Sequence, residues 1–165
     1  MPRNDAASGL TESLLDRLID TEPTNTHEAG SARAVSMRHI KASLRRDLEW
    51  LLNTRQMIVP PPDYARELPY SLFTWGLPDF TTFSRHSDND QQAMLRIMET
   101  AISTFEPRLQ NVIITMQAPG EAARLLHFQI EGMLRTDPAP ERIVFDTVLE
   151  LSSGEYQVGR DNSAR

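Results

Sequence analysis

The hydrophobic positions of this 165-residue chain follow a helical period first and a strand period later. Over 34–55, apolar residues recur every three or four positions, which is typical of an amphipathic helix. The same spacing returns over 88–105, where Ser87 can cap a helix and Pro107 can end it. The pattern therefore predicts two main helices.

After Pro107 the period of the apolar residues changes to two. Val112, Ile114 and Met116 alternate with other residues, and the segments 126–134, 143–151 and 155–158 follow with turn residues between them. Sequential strands with short turns predict an antiparallel meander. The predicted fold is α+β, with two main helices packed on one face of a small antiparallel β-meander and an N-terminal helical extension.

The predicted organisation is an extension over 1–33, one α+β domain over 34–159 and a tail over 160–165. The extension holds a short apolar stripe that includes Leu14, Leu15 and Leu18. So short a helix is marginal by itself, and we expect it to dock on its own domain or on a partner.

Three residues of the first helix lie opposite its apolar arc, namely Arg46, Trp50 and Asn53. The long connection over 56–86 can fold back and cover Trp50, since its aromatic residues predict an ordered wrap over the core or a neighbour. Alternatively, Trp50 beside Arg46 anchors another subunit, because exposed Trp and Arg are frequent in interface hot spots. The sequence leaves both interpretations open.

The composition argues against several functional classes for this protein. The net charge of −6 and the lack of a basic stripe argue against nucleic acid, and the lack of cysteine excludes disulfides and thiolate metal sites. The N-terminal residues lack an apolar signal core, and no segment is long enough to cross a bilayer. We expect a cytoplasmic protein without direct membrane insertion.

Motifs for catalysis or cofactor binding are missing, and the four histidines lack metal-pair spacing, so we expect no cofactor and no metal. One glycosidase-like pair is conceivable. If Arg135 lies opposite Arg142, then Glu131 lies opposite Asp146, at a separation that suits a retaining enzyme. Both carboxylates alternate with the core residues and face outward, so a polar outer sheet face is the favoured interpretation.

The triplet Glu106-Pro107-Arg108 stands where the second helix ends and the sheet begins. Its opposite charges can pair with each other, as a structural junction, or with the charges of a partner. The triplet alone does not decide between these alternatives.

Together with two longer segments, this triplet resembles a known family. Residues 44–55 (LRRDLEWLLNTR) are similar to the first-helix signature of the type VI secretion baseplate TssE family, and residues 13–18 (SLLDRL) to its N-terminal segment. Phe105-Glu106-Pro107-Arg108 resembles the E-P-R motif shared with the phage baseplate wedge family, which carries the label "lysozyme-like".

The resemblance implies a non-enzymatic wedge subunit that helps nucleate the contractile sheath. The implied partners are TssF, TssG and TssK in the baseplate and TssB and TssC in the sheath, which would assemble on strand edges of the sheet. Glu106, Pro107 and Arg108 would serve in placement and contact. The alternatives are a peptidoglycan-cleaving hydrolase, as the label suggests, and an adaptor for one small partner.

Overall fold

A computed structural model of the chain describes residues 13–18, 37–80, 83–84, 87–117, 124–136 and 139–162. Its three α-helices are α1 (Leu14–Leu18), α2 (Met37–Asn53) and α3 (Asp88–Phe105). The connection between α2 and α3 contains two short 3-10 turns, at Leu68–Tyr70 and Leu72–Thr74. The four strands are β1 (Leu109–Met116), β2 (Leu125–Leu134), β3 (Glu141–Glu150) and β4 (Glu155–Asp161). No helix in the described ranges is long and apolar enough to cross a membrane.

The strands form one antiparallel sheet in the order β1-β2-β3-β4, which confirms the predicted meander. Both ends of α3 are as predicted, since the Ser87 hydroxyl accepts a hydrogen bond from the Asp90 amide and Pro107 follows the last turn. Helix α2 ends at Asn53, slightly before the predicted boundary, and residues 34–36 lie outside the described residues. Strand β4 continues to Asp161, two residues into the segment predicted as a tail.

One face of the sheet packs against α2 and α3 and forms the core. Alternate side chains of β2 and β3 enter it together with the apolar arc of each helix. The largest fully buried side chains are Phe128, Phe145, Ile40, Leu44, Leu48, Leu51, Leu77, Met98, Ile102, Ile130, Leu134 and Ile143. The fold class is therefore confirmed.

The long connection lies on the core only in its second half. There Leu77 is buried, and the ring of Trp75 meets that of Phe105 edge-on at 5.1 Å. Gly76 permits this close approach, because its φ is +106° and a Cβ atom there would lie 2.3 Å from the Thr54 carbonyl oxygen. The first half instead exposes apolar side chains, including Ile58.

The register of β2 and β3 contradicts the proposed carboxylate pair. Glu131 lies opposite Val144, and Asp146 lies opposite Gln129. The turn between β2 and β3 is centred one residue earlier than in the register that paired Arg135 with Arg142. Each residue of β2 therefore lies opposite a residue of β3 that is two positions away from the assumed one. The exposed Glu131 carboxylate is held by the Arg142 guanidinium at 2.6 and 2.8 Å, and this lowers its pKa. A lowered pKa is the wrong direction for a general acid at neutral pH, so the glycosidase-like pair is wrong.

Candidate partner-binding surface

Helix α1 docks on α2 through polar groups, and its Leu15 and Leu18 are exposed. The Ser13 hydroxyl accepts a hydrogen bond from the Asp16 amide at 3.1 Å, which caps the first turn. The Asp16 carboxylate accepts hydrogen bonds from the Ser43 hydroxyl and, at 2.8 Å, from the Arg46 guanidinium. Leu18 remains 82% exposed. Helix α1 thus has an inward acid and exposed apolar area, which suits contact with another protein.

Of the three leucines predicted to bind a partner, Leu15 and Leu18 are exposed, whereas the side chain of Leu14 lies outside the described residues. Of the two alternatives for this helix, the structure shows docking on its own domain, through the bond between Arg46 and Asp16. Its contact with a partner stays a prediction.

Arg46 joins α1 to the exposed tryptophan of α2. Besides its bond to Asp16, it donates to the Asp47 carboxylate at 2.8 Å and to the Ser13 hydroxyl at 3.3 Å. Its guanidinium carbon lies 5.1 Å from the centre of the Trp50 ring, within the range of a cation–π contact. Because Trp50 is 52% exposed, the long connection does not cover it.

We define the α1–α2 surface as Leu15, Leu18, Arg46 and Trp50. It combines exposed apolar groups with a fixed arginine, a composition typical of the central residues of protein interfaces. Its two parts are joined by the ion pair between Arg46 of α2 and Asp16 of α1.

The two charged residues of the E-P-R triplet, Glu106 and Arg108, are buried beneath this surface, whereas Pro107 between them is exposed. Glu106 and Arg108 are 5% and 9% exposed, and the Arg108 Nε donates to the Glu106 carboxylate at 2.7 Å. Arg108 also donates to the Asp47 carboxylate at 2.7 Å and to the Ser43 hydroxyl at 3.3 Å. Of the two alternatives for the triplet, the structure shows internal pairing, which ties the α3–β1 corner to α2.

These contacts form one chain of charges, which we call the buried ion network: Asp16, Arg46, Asp47, Arg108 and Glu106. Burial alone would raise the pKa of Asp16, but hydrogen bonds from Arg46, Ser43 and Ser13 outweigh it, and the pKa falls well below its usual range. Burial alone would lower the pKa of Arg108, and the hydrogen bond and charge of Glu106 reverse this. The lowered pKa of Asp16 and the raised pKa values of Arg46 and Arg108 keep these three groups charged at neutral pH.

Asn53 is exposed, but it pairs with the edge strand β4 and is not part of the α1–α2 surface. Its amide nitrogen donates to the Tyr156 carbonyl at 2.8 Å, and its amide oxygen accepts from the Tyr156 N–H at 2.8 Å. Tyr156 belongs to the edge strand β4, so Asn53 occupies backbone groups that a neighbouring strand would otherwise take.

Sequence reasoning missed the acids that organise the site. Asp16 stands three residues after Ser13, which is the spacing of a capping box, and this signal was available. Asp47 gave no comparable signal, because its partner Arg108 is 61 residues away in the sequence.

The fold is α+β, and the α1–α2 surface exposes side chains of the types that suit contact with other proteins. Comparison with protein families gives a match to baseplate wedge protein gp25 over residues 38–139, more than half of the chain. The chain therefore belongs to the baseplate wedge protein gp25 family. The match supports a structural role in a baseplate.

A solved structure described as the baseplate complex from the type VI secretion system contains a chain of similar fold. The two chains are 20% identical, with a TM-score of 0.46, and the similarity covers 67% of this chain and 94% of the other. Comparison with curated proteins gives no match.

Proposed function

We propose that this protein is the TssE-type wedge subunit of a type VI secretion baseplate, that it has no catalytic role and that it helps to nucleate the contractile sheath. The proposal rests on membership of the wedge family and on the helix signatures over 13–18 and 44–55. The observation that carries it furthest is the α1–α2 surface, which those two signatures build together. The baseplate would assemble in the cytoplasm, at the inner membrane.

The α1–α2 surface would contact the other wedge proteins, for which TssF, TssG and TssK are the candidates. Leu18 and Trp50 supply exposed apolar area, and Arg46 is held in place by two carboxylates, so little ordering would be needed on binding. Preorganised aromatic and arginine side chains are effective anchors. Contact of this surface with a partner is the central expectation of the proposal.

The sheet would supply the contact with the sheath proteins TssB and TssC by adding a strand at one edge. At the β4 edge, the Asn53 side chain hydrogen-bonds both the N–H and the carbonyl of Tyr156. Arg45 donates to the Val158 carbonyl at 3.3 Å. At the β1 edge, the Glu99 carboxylate accepts a hydrogen bond from the Ile114 N–H at 2.8 Å. More of the β4 edge is thus occupied, and we assign the sheath contact to β1.

The E-P-R triplet would act through the fold. The buried Glu106 and Arg108 pair with each other, and the ion pair of Arg108 with Asp47 holds the α3–β1 corner against α2, the helix that carries Trp50. The triplet would therefore position both the α1–α2 surface and the start of the β1 edge. Direct contact of Glu106 or Arg108 with a partner would require the corner to open.

The test is copurification of tagged wild-type protein and variants with TssF, TssG and TssK from the same genome. We expect Trp50→Ala and Leu18→Ser to reduce recovery of the wedge proteins without lowering the melting temperature. Tyr64→Ala is the matched control, because Tyr64 is an 88% exposed aromatic residue in the long connection. Equal recovery with all three variants would remove the α1–α2 surface from the proposal.

Sheath nucleation needs its own test. Purified TssB and TssC are mixed with the assembled wedge, and sheath length and number are counted by electron microscopy. A wedge without this protein is expected to yield few sheaths, and addition of the wild-type chain is expected to restore them. Normal sheaths without the chain would contradict the nucleating role.

A further inference from the structure

The long connection between α2 and α3 carries an exposed apolar segment over residues 57–62, which we call the proline arm. Met57, Ile58 and Val59 are 58%, 98% and 63% exposed, and two of the three prolines that follow are also exposed. Adjacent apolar side chains in contact with water add nothing to the core, and exposed apolar patches often mark interaction sites. Neither the α1–α2 surface nor the buried ion network includes the arm.

Three consecutive prolines, Pro60, Pro61 and Pro62, set the backbone conformation of the arm. Each ring fixes its own φ, and each proline keeps the residue before it out of the helical region. Such a stretch adopts the polyproline II conformation, which has no internal hydrogen bonds. In agreement, no backbone N–H or carbonyl over 57–61 forms a hydrogen bond with any part of the chain that the structure describes. The carbonyl oxygens of the arm are therefore unoccupied acceptors.

Both ends of the arm are fixed to the rest of the protein. Before it, the Gln56 N–H donates to the carbonyl of the buried Leu77 at 2.9 Å. After it, the Pro62 carbonyl accepts a hydrogen bond from the Ala65 N–H at 2.9 Å, which closes a turn that contains Tyr64. The arm is thus a short, preformed segment between two anchored points, so little conformational entropy would be lost when a partner binds it.

The chemistry of the arm selects the kind of partner. Strand addition is unsuited, because three consecutive residues have no N–H to donate to a neighbouring strand. Proline-rich segments instead dock in aromatic-lined grooves, where indole N–H and phenol O–H groups can donate to carbonyl oxygens. Asp63, which follows the arm, is exposed and forms no ion pair within the described ranges. A basic side chain at that end of the partner would complement its charge.

We propose that the proline arm is the ligand of a second protein, whose groove is lined with Trp or Tyr side chains and has a basic residue at one end. Ile58 and Val59 would supply apolar contact area, and the prolines would supply a fixed shape and the acceptor oxygens. The inference does not depend on the proposed function, because a protein with such a groove satisfies it inside or outside a baseplate.

The first experiment identifies what the arm contacts. The full chain with the photoreactive substitution Ile58→p-benzoyl-phenylalanine is produced in the cells that naturally make the protein. After irradiation, the cross-linked peptides are identified by mass spectrometry. We expect one cross-linked protein, joined at a segment with exposed aromatic side chains. Tyr70→p-benzoyl-phenylalanine is the control, because Tyr70 is 74% exposed in the same connection but lies outside the arm, and it should not give this cross-link.

The second experiment measures, by isothermal titration calorimetry, how the purified chain and its variants bind the cross-linked protein. The triple variant Pro60→Ala, Pro61→Ala, Pro62→Ala is expected to bind about tenfold more weakly, since it loses the ring contacts and the preformed shape. Pro69→Ala is the matched control, because this proline is exposed in the same connection outside the arm. Asp63→Asn should weaken binding about threefold at low salt and leave it unchanged at high salt.

The proposal would be overturned if no specific protein cross-link forms, or if the cross-linked surface has no aromatic side chains. Cross-links to lipid alone would also overturn it and would assign the exposed apolar residues to a membrane surface. Equal or tighter binding of the triple alanine variant would overturn it as well, because alanine restores N–H groups and would favour strand pairing. An unchanged affinity of Asp63→Asn at low salt would contradict the basic residue in the groove.

Circular dichroism checks that each variant is folded at the temperature of the binding measurement. Because the arm is exposed and lies outside the core, we expect all of them to fold. If the triple variant does not fold, Pro60→Ala alone is measured, with an expected loss of about threefold in affinity. An unchanged affinity of that folded variant would then count against the proposal.

Discussion

At the scale of single residues, Arg108 shows how a charged motif can serve the fold. It pairs with both Glu106 and Asp47 in a region with little access to water. A surface charge of this kind would contribute little to stability, but removal of one partner from a buried pair leaves the other charge uncompensated. The motif should therefore be judged by its effect on unfolding before any effect on assembly is interpreted.

We predict that Arg108→Ala destabilises the isolated chain by about 3–5 kcal/mol, because two carboxylates lose their cation inside the protein. The measurement is urea unfolding followed by circular dichroism. Arg142→Ala is the control, since its pair with Glu131 is exposed, and its unfolding midpoint should not change. The double variant Glu106→Gln with Arg108→Met should recover part of the loss. Unchanged stability of Arg108→Ala would contradict the structural role of the triplet.

Asp16 gives a prediction about pH. Its pKa is lowered from 3.8 in the folded chain, so its contribution to stability is present above about pH 4 and is lost as the pH falls further. Wild type should be more stable than Asp16→Asn at pH 7, and the difference should shrink below about pH 4. Chemical unfolding at several pH values measures it. A difference that is constant with pH would show that the carboxylate does not anchor α1 through its charge.

At the scale of elements, the β4 edge depends on one amide side chain. Asn53 pairs with Tyr156 as a neighbouring strand would, so we predict that Asn53→Ala exposes the Tyr156 amide and costs about 1–2 kcal/mol. Hydrogen exchange should then accelerate at Tyr156 and stay slow at the Gln117 amide, which donates to the His127 carbonyl in another hairpin. Slow exchange at Tyr156 in the variant would show that other contacts protect this edge.

The elements themselves were predictable because each has a period that the sequence displays. Leu126, Phe128 and Ile130 alternate with polar residues, and all three enter the core as predicted. The register of β2 and β3 was not predictable from that pattern. A shift by two residues keeps every side chain on its own face, so Glu131 points outward in either register. Only the turn distinguishes the registers, and its chemistry allowed both.

The candidate site was likewise predictable only in part. The place of Trp50 opposite the apolar arc followed from its spacing, but whether the long connection covers it was left open and is decided only by its 52% exposure. Burial of Glu106 and Arg108 could not be predicted, because the second acid that pairs with Arg108, Asp47, comes from another helix. Contacts between distant segments depend on packing, and no local pattern records them.

At the scale of the whole molecule, the two edges of the sheet differ in how many backbone groups are occupied by helix side chains. Side chains of α2 bond to β4, and one side chain of α3 bonds to β1. Along β1, Gln117 donates to β2, so alternation directs the Met116 N–H away from the sheet. Along β4, the corresponding position at Tyr156 is already paired with Asn53. An added strand would find more unoccupied backbone groups on β1, and exposed edges of this kind are used for assembly.

We therefore predict that sheath protein slows hydrogen exchange at the Met116 amide when it joins the assembled wedge. The Gln117 amide is the internal control, because its ladder bond protects it before and after binding. The Tyr156 amide should also be unchanged, since Asn53 protects it in the free chain. Protection that arises along β4 instead would mean that Asn53 and Arg45 are displaced on assembly. In that case α2 would have to move away from the edge, and the α1–α2 surface would move with it.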